Sequence, residues 1–159
     1  MIQVAENVTF PLGDAQVTMP VKAIARAFLD SIAAPVVAPP ANRPALAAGE
    51  LYAGLILGKD GAPDHHLILL PDSAEDVTWE QAKEWAAAAG GELPTRREQS
   101  LLFANLKEEF ESAWYWSGEQ YAGTSTNAWG QHFLGGSQGN YHKLNEFRAR
   151  AVRRLLVIQ

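Results

Sequence analysis

The pattern of apolar and polar positions predicts a mixed chain of strands and helices. Residues 51–57 and 66–70 are dense in Leu and Ile, and a turn-forming cluster at residues 58–64 separates them. This arrangement is typical of a β-hairpin. Two amphipathic segments follow, and after Phe110 the chain changes to short strands with Gly-rich turns. The order strand, strand, helix, helix, strands is typical of the α+β class.

Each of the two predicted helices begins with a capping box. Thr78 is followed by Gln81, and Thr95 is followed by Glu98. At this spacing two side chains satisfy two otherwise unpaired N–H groups of the helix start. We expect the first helix to run to about Ala89, because two glycines follow it. The apolar face of the second helix is predicted to comprise Leu101, Leu102 and Leu106.

The first part of the chain follows another pattern. An apolar-polar stretch with a break at Pro11 and Gly13 precedes a predicted short helix over residues 21–32. We interpret residues 1–34 as an assembly or attachment segment that has too little apolar surface to fold alone. It is expected to pack against another copy of the chain or another protein.

Four prolines fall within residues 35–44. Proline-rich segments favour extended polyproline II structure, so residues 35–47 are interpreted as a semi-rigid linker. The main domain then comprises residues 48–159. The alternative is that the proline-rich segment lies as a loop on that domain.

Composition narrows the possible functions. The chain has 159 residues and a net charge of −5, so its overall charge does not attract nucleic acid or anionic lipid. It contains no cysteine, which excludes disulfides, thiolate metal sites and a cysteine nucleophile. No apolar run is long enough to span a bilayer, and residues 1–6 lack the features of a secretory signal. We expect no cofactor, no nucleic-acid partner and no membrane insertion.

Six short motifs follow one another between residues 48 and 156. They are Trp79-x-x-Ala82, Leu93-Pro94-Thr95-x-x-Glu98, Tyr115-Trp116-Ser117, Asn127-Ala128-Trp129, Phe133-x-x-Gly136 and Arg148-x-Arg150-Ala151-Val152-Arg153. With these motifs the segment resembles the bacterial and phage lectin-like C-terminal domains, which share the C-type lectin-like fold with the formylglycine-generating enzymes. The resemblance implies two helices around a small, mostly antiparallel sheet with long loops.

The same resemblance implies two further features of the fold. Residues 51–57 would pair with residues 151–157, because the terminal strands of this fold lie together. Four large aromatic side chains would be buried, namely Trp79, Trp116, Trp129 and Phe133.

Some phage members of this fold are variable proteins of diversity-generating retroelements. In those proteins adenine-rich Asn codons are mutated, and the altered side chains form the ligand-binding face. Laid on this chain, the pattern implies fixed residues at Phe133, Gly136, Gln138, Lys143, Arg148 and Arg150. The variable residues would be Ser137, Gly139, Asn140, Tyr141, His142, Leu144, Asn145 and Phe147.

Large apolar side chains in this polar segment indicate an interface. In the strand that contains Trp129, alternation places Gly130 and His132 on the side opposite Trp129. We therefore predict one exposed ligand-binding face, on which aromatic rings supply rigid contact area and polar groups supply adaptable hydrogen bonds. Its residues would be Tyr121, Gly130, His132, Asn140, Tyr141, His142, Leu144, Asn145 and Phe147. The alternative is that Tyr141, Leu144 and Phe147 pack into the core.

Other candidate sites are weaker. His65 and His66 are adjacent in a strand, so their side chains face opposite sides and cannot readily share a metal ion. His132 and His142 could approach each other across a hairpin, but no third ligand is evident. The Trp114–Trp116 cluster could stack on a sugar, with at least one ring belonging to the core.

Two further motifs bear on sugar and phosphate binding. The Glu-Pro-Asn or Gln-Pro-Asp loop of calcium-dependent lectins is absent, which argues against calcium-dependent sugar binding. The arginines near the C-terminus could form a phosphate patch, but ion pairs with Glu are the commoner outcome. They are Arg148, Arg150, Arg153 and Arg154.

Three classes of function are open. The first is a non-enzymatic binding protein, phage-encoded and located in the virion tail, that recognises a bacterial surface protein or glycan. The second is a structural virion protein, such as a decoration or tail-tip component, that reuses the fold. The third, an oxidase like the formylglycine-generating enzymes, lacks the required cysteines or histidine-rich iron site. We expect a homo-oligomer, with a trimer as the first expectation, and contacts to other virion proteins. The alternative location is the bacterial cytoplasm or cell surface.

Overall fold

The computed structural model describes residues 6–33 and 43–157. The chain divides into two compact units, one within residues 1–41 and one within residues 42–159. Residues 35–42 of the predicted linker lie outside the described residues. The next residues belong to the second unit, since the Ala45 carbonyl accepts a hydrogen bond from Arg153 and the Arg43 guanidinium lies 5.0 Å from the Tyr52 ring centroid. None of the helices among the described residues is long and apolar enough to cross a membrane.

The first unit is a β-hairpin followed by a helix. Its elements are β1 (Asn7–Leu12), β2 (Ala15–Pro20) and α1 (Val21–Ala33). The hairpin turns at Gly13, whose φ of 63° is a left-handed conformation that glycine adopts without steric cost. The predicted helix is confirmed, and the apolar-polar stretch before it forms both strands.

The second unit contains eight strands and two α-helices among its described residues. The strands are β3 (Leu51–Ile56), β4 (His65–Leu69), β5 (Ala74–Val77), β6 (Trp114–Gln120), β7 (Asn127–His132), β8 (Gln138–His142), β9 (Phe147–Ala149) and β10 (Val152–Leu156). The helices are α2 (Trp79–Ala88) and α3 (Arg96–Asn105), with a short 3₁₀ helix at Lys107–Glu109. The predicted α+β class is confirmed at this level.

The strands form two sheets with different roles. The order β10-β4-β3 makes a three-stranded antiparallel sheet, and β5-β9-β6-β7-β8 makes a five-stranded one. In the larger sheet β6 and β9 run parallel, and the other neighbours run antiparallel. This sheet carries most of the predicted site residues.

The predicted pairing of the first and last strands of this unit is wrong. Leu51 in β3 and Val152 in β10 both pair with Leu69, so β4 lies between the two strands. The short connection between β3 and β4 makes these two strands a hairpin. The other edge of β4 is then the one that pairs with β10. Both terminal strands nevertheless belong to one sheet.

Both predicted capping boxes occur at the helix starts. The Thr78 N–H donates to Gln81 Oε1 at 2.9 Å, and the Thr95 N–H donates to Glu98 Oε2 at 2.7 Å. Helix α2 ends at Ala88, one residue earlier than predicted. Gly90, two residues beyond this end, adopts a left-handed φ of 83°. The predicted helix boundaries therefore hold to within one residue at this end.

The core contains three of the four aromatic rings predicted to be buried. Trp79, Trp116 and Phe133 are at most 6% exposed. Trp129 is only partly buried, which corrects the prediction. Its ring lies on the sheet face toward the start of α3, where the Arg96 guanidinium stands 3.6 Å from the ring centroid. A charged side chain therefore covers a ring that the resemblance assigned to the core.

A buried carboxylate joins three elements of the second unit. Glu98 is 1% exposed and forms a two-pronged ion pair with Arg154 of β10, with nitrogen–oxygen distances of 2.6 and 2.7 Å. His65 of β4 lies 2.8 Å from the same carboxylate. Burial by itself would raise the pKa of Glu98, but hydrogen bonds from Arg154 and the Thr95 N–H outweigh it and hold this pKa below its ordinary value.

We expect Phe133→Ala to lower the free energy of unfolding by about 3–5 kcal/mol. Phe133 is 1% exposed, and its ring stacks on Phe110 with centroids 3.8 Å apart. Leu134→Ala is the matched control, because that neighbouring side chain is 62% exposed and should cost less than about 0.5 kcal/mol. Urea unfolding followed by tryptophan fluorescence measures both. Equal losses for the two variants would contradict the core assignment.

We expect Glu98→Gln to cost about 1–3 kcal/mol, because it leaves the partly buried Arg154 guanidinium without its main carboxylate, with only Glu92 as a charged partner. Acid should weaken the wild-type protein for the same reason. The pKa of Glu98 is lowered on folding, and Arg153 with the Ala47 N–H holds the pKa of Glu50 at about 2.

Both shifts therefore stabilise the fold above pH 4.5, and this stability is lost as the pH falls toward 2. The Glu98→Gln variant should show a shallower loss over that range. Thermal melts between pH 7 and pH 2 test this, and parallel curves for wild type and variant would argue against it.

Candidate functional site

The five-stranded sheet divides the predicted site residues between its two faces. Paired residues of neighbouring antiparallel strands point to the same face. Ala128 pairs with Tyr141, and Trp114 pairs with His132, so these side chains share a face with Gly130. Trp129 pairs with Asn140 on the opposite face. The prediction of a single exposed face is therefore wrong.

Four aromatic side chains cluster on the first face, which we call the aromatic face: Trp114, His132, Tyr141 and Phe147. The Trp114 ring centroid lies 5.2 Å from His132, 4.6 Å from Tyr141 and 6.0 Å from Phe147. Most of these contacts are edge-to-face, an arrangement that aromatic quadrupoles favour. The face is therefore a rigid platform.

Two residues predicted to be exposed are held by this packing. Phe147 lies 4.5 Å from the buried Trp116 ring, and both Tyr141 and Phe147 are partly buried against a core cluster. The alternative stated above, that Tyr141 and Phe147 pack into the core, is thus correct in part, because each ring is partly buried and partly exposed. The reason is that β9 lies beside β6, which brings Phe147 onto the tryptophans.

Gly130 is buried rather than exposed, which corrects its place in the predicted site. A Cβ atom at this position would lie 3.0 Å from the Tyr115 carbonyl oxygen, 3.7 Å from Trp114 and 3.8 Å from Phe147. The first contact is tight and involves a backbone atom, whereas the two rings already lie at van der Waals distance, so there is no room for a side chain larger than a methyl group. Gly130 therefore shapes the aromatic face from beneath.

A cleft of about 240 Å³ opens beside the aromatic face. Its lining consists of Asp76, Ala113, Trp114, His132, Glu146, Phe147 and Arg148. His132 Nδ1 accepts a hydrogen bond from the Leu134 N–H at 3.1 Å, so in the neutral ring the proton is on Nε2. Arg148 is held by Glu75 at 2.6 Å. The cleft thus combines aromatic walls with a hydrogen-bond donor and charged groups at its rim.

Sequence reasoning placed only part of this cleft. The tryptophan cluster divides as expected, since Trp116 is fully buried and Trp114 lines the cleft. The sequence reasoning missed two other lining residues, Asp76 in strand β5 and Glu146 in the turn before β9. Only the adjacency of β5 to β9 brings them to the same opening.

The opposite face of the sheet is polar and internally hydrogen-bonded. The Tyr121 ring meets Trp129 edge-on at 5.5 Å, and the Asn127 amide donates to Asn140 at 2.9 Å. Arg96 covers Trp129 and donates to Gln138 at 3.1 Å. Tyr121 and Asn140 are therefore part of a fixed network and are separated from the aromatic face by the sheet.

The turn between β8 and β9 carries the most exposed of the predicted residues. Leu144 is 73% exposed, and His142 and Asn145 are also exposed. The Asn145 N–H donates to the His142 carbonyl oxygen at 2.9 Å, which fixes the turn. An exposed leucine on an ordered turn is the strongest contact feature of the predicted set.

The histidines serve local roles. His65 contacts Glu98, and His66 Nδ1 lies 3.0 Å from the Tyr52 hydroxyl, so they face opposite sides as predicted. His142 pairs with Asn127 at the far end of β7 from His132, so these two histidines do not meet across the hairpin. Within residues 6–33 and 43–157 no group of three His, Asp or Glu side chains could hold a metal ion.

The arginines near the C-terminus form ion pairs rather than a free phosphate patch. Arg148 contacts Glu75, Arg153 contacts Glu50, and Arg154 contacts both Glu98 and Glu92. Arg150 instead donates to the carbonyl oxygens of Glu109 and Leu70. Burial lowers the pKa of the Arg150 guanidinium. The expectation of ion pairs is confirmed for three of the four.

Comparison with known proteins adds no family assignment. No protein-family model matches the chain, and a search of curated proteins found no significant match.

We expect Gly130→Val to cost about 1–3 kcal/mol, because its methyl groups would displace the Trp114 and Phe147 rings. Gly135→Val is the control, since a Cβ atom there meets nothing within 4 Å. Near-ultraviolet circular dichroism should change for the first variant and not for the second. An unchanged aromatic spectrum in Gly130→Val would contradict the role given to this glycine.

Proposed function

We propose that the chain is a non-enzymatic ligand-binding protein whose second unit has a C-type lectin-like fold. Its ligand is a protein or glycan on a bacterial surface, and its place is a phage tail. The binding surface comprises the β8–β9 turn and the adjoining aromatic face.

The supporting observation is the division of roles between residues 133 and 150. The eight variable-type residues are all at least partly exposed. Among the fixed-type residues, Phe133 is buried, and Gln138 donates to the Gln131 side chain at 2.8 Å. A Cβ atom on Gly136 would approach the Phe103 ring to 2.9 Å. Lys143, Arg148 and Arg150 are partly exposed, but each is held by a hydrogen bond, to Gln120, Glu75 and the Glu109 carbonyl oxygen respectively. The fixed-type residues thus make contacts within the fold, whereas four of the variable-type residues are exposed: Ser137, His142, Leu144 and Asn145.

Two observations support the lectin-like assignment. Both helix starts coincide with motifs, since α2 begins at the buried Trp79 and Thr95 is the N-cap of α3. The Trp79 indole N–H donates to the Ser117 carbonyl oxygen at 2.7 Å, which ties the first helix motif to the Tyr115-Trp116-Ser117 motif.

The chemistry of the surface favours binding over catalysis. The rings of the aromatic face are held by their neighbours, so little side-chain entropy is lost when a ligand covers them. Leu144 and Asn145, on the turn beside that platform, add one apolar and one adaptable polar side chain. This mixture of rigid aromatic and adaptable polar groups is typical of recognition surfaces.

We expect Leu144→Asp to weaken binding by about 2 kcal/mol or more if this leucine is a hot spot. Leu134→Asp is the matched control, because that leucine is 62% exposed but lies on the turn at the other end of β8. Labelled protein is titrated onto a panel of bacterial cells and onto a glycan array, and thermal melts accompany each variant. Equal binding by the two variants would remove the β8–β9 turn from the site.

A second test concerns the genetic origin of the surface. We expect the genome near this coding sequence to contain a template repeat that matches the region encoding residues 133–150. A reverse transcriptase gene should lie next to that repeat. Sequencing of several isolates should then show substitutions at the eight variable-type residues and none at the six fixed-type residues. Substitutions spread evenly over both sets would argue against diversification.

A structural virion protein is the second candidate function. The observation that favours it is the exposed apolar surface of the first unit, which marks a site of assembly. The two candidates differ in whether the β8–β9 turn is free in the assembled particle. Accessibility of Leu144→Cys to a maleimide in intact particles would distinguish them.

A further inference from the structure

The hairpin of the first unit has one face made only of apolar side chains. In its register Val8 pairs with Met19, Phe10 with Val17 and Leu12 with Ala15. Because paired residues share a face, these six side chains lie together, and we call them the apolar hairpin face.

The other hairpin face is different in character. It carries Asn7, Thr9, Pro11, Gln16, Thr18 and Pro20. The Thr9 and Thr18 hydroxyls lie 2.8 Å apart and hydrogen-bond across the strands. A sheet with one polar and one apolar face is built to cover the apolar face with another layer.

Within the described residues that apolar layer is covered only in part. Leu12 is 71% exposed, Phe10 45%, Val17 40%, Met19 38% and Val8 37%. An isolated two-stranded hairpin is marginally stable in water, and packing of its apolar face supplies what it lacks. The exposed face therefore needs an occupant.

We infer that a second copy of this chain covers the apolar hairpin face, so that the first unit is the self-association element of the protein. The face carries no charged or hydrogen-bonding side chain, so an identical face meets it without repulsion or unpaired polar groups. Residues 1–41 contain three acidic and two basic residues, a net charge of −1 out of the −5 of the whole chain. Like chains thus meet at their least charged part, while the more acidic second units repel one another weakly.

The inference does not depend on the ligand of the second unit. It also does not fix the number of copies, which the measurement below gives directly.

The test compares two neighbouring residues of β2 that point to opposite faces. Val17→Asp places a charge on the apolar hairpin face, and Gln16→Asp places the same charge on the polar face. Sedimentation of the full chain over a micromolar to millimolar range should show wild type and Gln16→Asp at a multiple of 17.3 kDa. Val17→Asp should raise the dissociation constant about tenfold or more, because burial of an unpaired carboxylate is unfavourable.

Val17→Thr controls for the possibility that Val17→Asp acts by unfolding the hairpin, because threonine is β-branched and keeps the strand preference of valine. It should weaken association in the same direction. Tryptophan fluorescence melts are the second readout, since the tryptophans are at positions 79, 85, 114, 116 and 129, all in the second unit. These melts should be the same for all four proteins.

Three results would overturn the inference. A wild-type chain that stays at 17.3 kDa would show that no second copy covers the face. An equal effect of Gln16→Asp would show that the face has no special role. A change in the tryptophan melt of Val17→Thr without a change in mass would place the second unit of the same chain on the apolar hairpin face.

Discussion

The buried ion pair between Glu98 and Arg154 is the interaction on which the second unit most depends. One carboxylate caps helix α3 through the Thr95 N–H, accepts two hydrogen bonds from the last strand and contacts His65 of β4. It therefore fixes the helix against the three-stranded sheet at a single point. Such a pair contributes less to net stability than to position, because desolvation of two charges offsets much of their attraction. Loss of Arg154 would be costly, since the Glu98 carboxylate would stay buried.

Position matters here because α3 packs on the polar face of the larger sheet, where the Gln131 side chain donates to the Gln99 carbonyl oxygen at 3.1 Å. Arg96, at the start of this helix, covers Trp129 and reaches Gln138. That contact closes the polar face with a network of fixed side chains. The aromatic face on the other side keeps a cleft and an ordered, exposed turn. The placement of α3 thus covers the polar face at Trp129, whereas α2 packs on part of the other face and leaves the cleft beside Trp114 open.

Stability and recognition share residues on the aromatic face. Phe147 packs on Trp116 in the core and also lines the cleft. A ring held in this way is a good contact because it is already ordered, but it cannot vary without some cost to the fold. The exposed turn that carries Leu144 has no such constraint. A surface able to change its specificity would therefore vary most in the turn and least in the rings.

The sequence by itself determined the local structure of this protein. Capping boxes at Thr78 and Thr95 predicted both helix starts, because an N-cap depends on residues within one turn. Hydrophobic alternation and turn residues predicted the hairpin of β3 and β4 and the opposite directions of His65 and His66. These features depend on neighbours in the chain.

Only the tertiary structure decided which distant residues meet. The parallel pairing of β9 with β6 brings Phe147 onto the tryptophans, and β4 separates the first strand of the unit from the last. Gly130 is buried and Trp129 is half-covered by Arg96, which alternation along one strand could not reveal. The physical reason is that a period of two assigns residues to faces, whereas burial depends on what packs against each face.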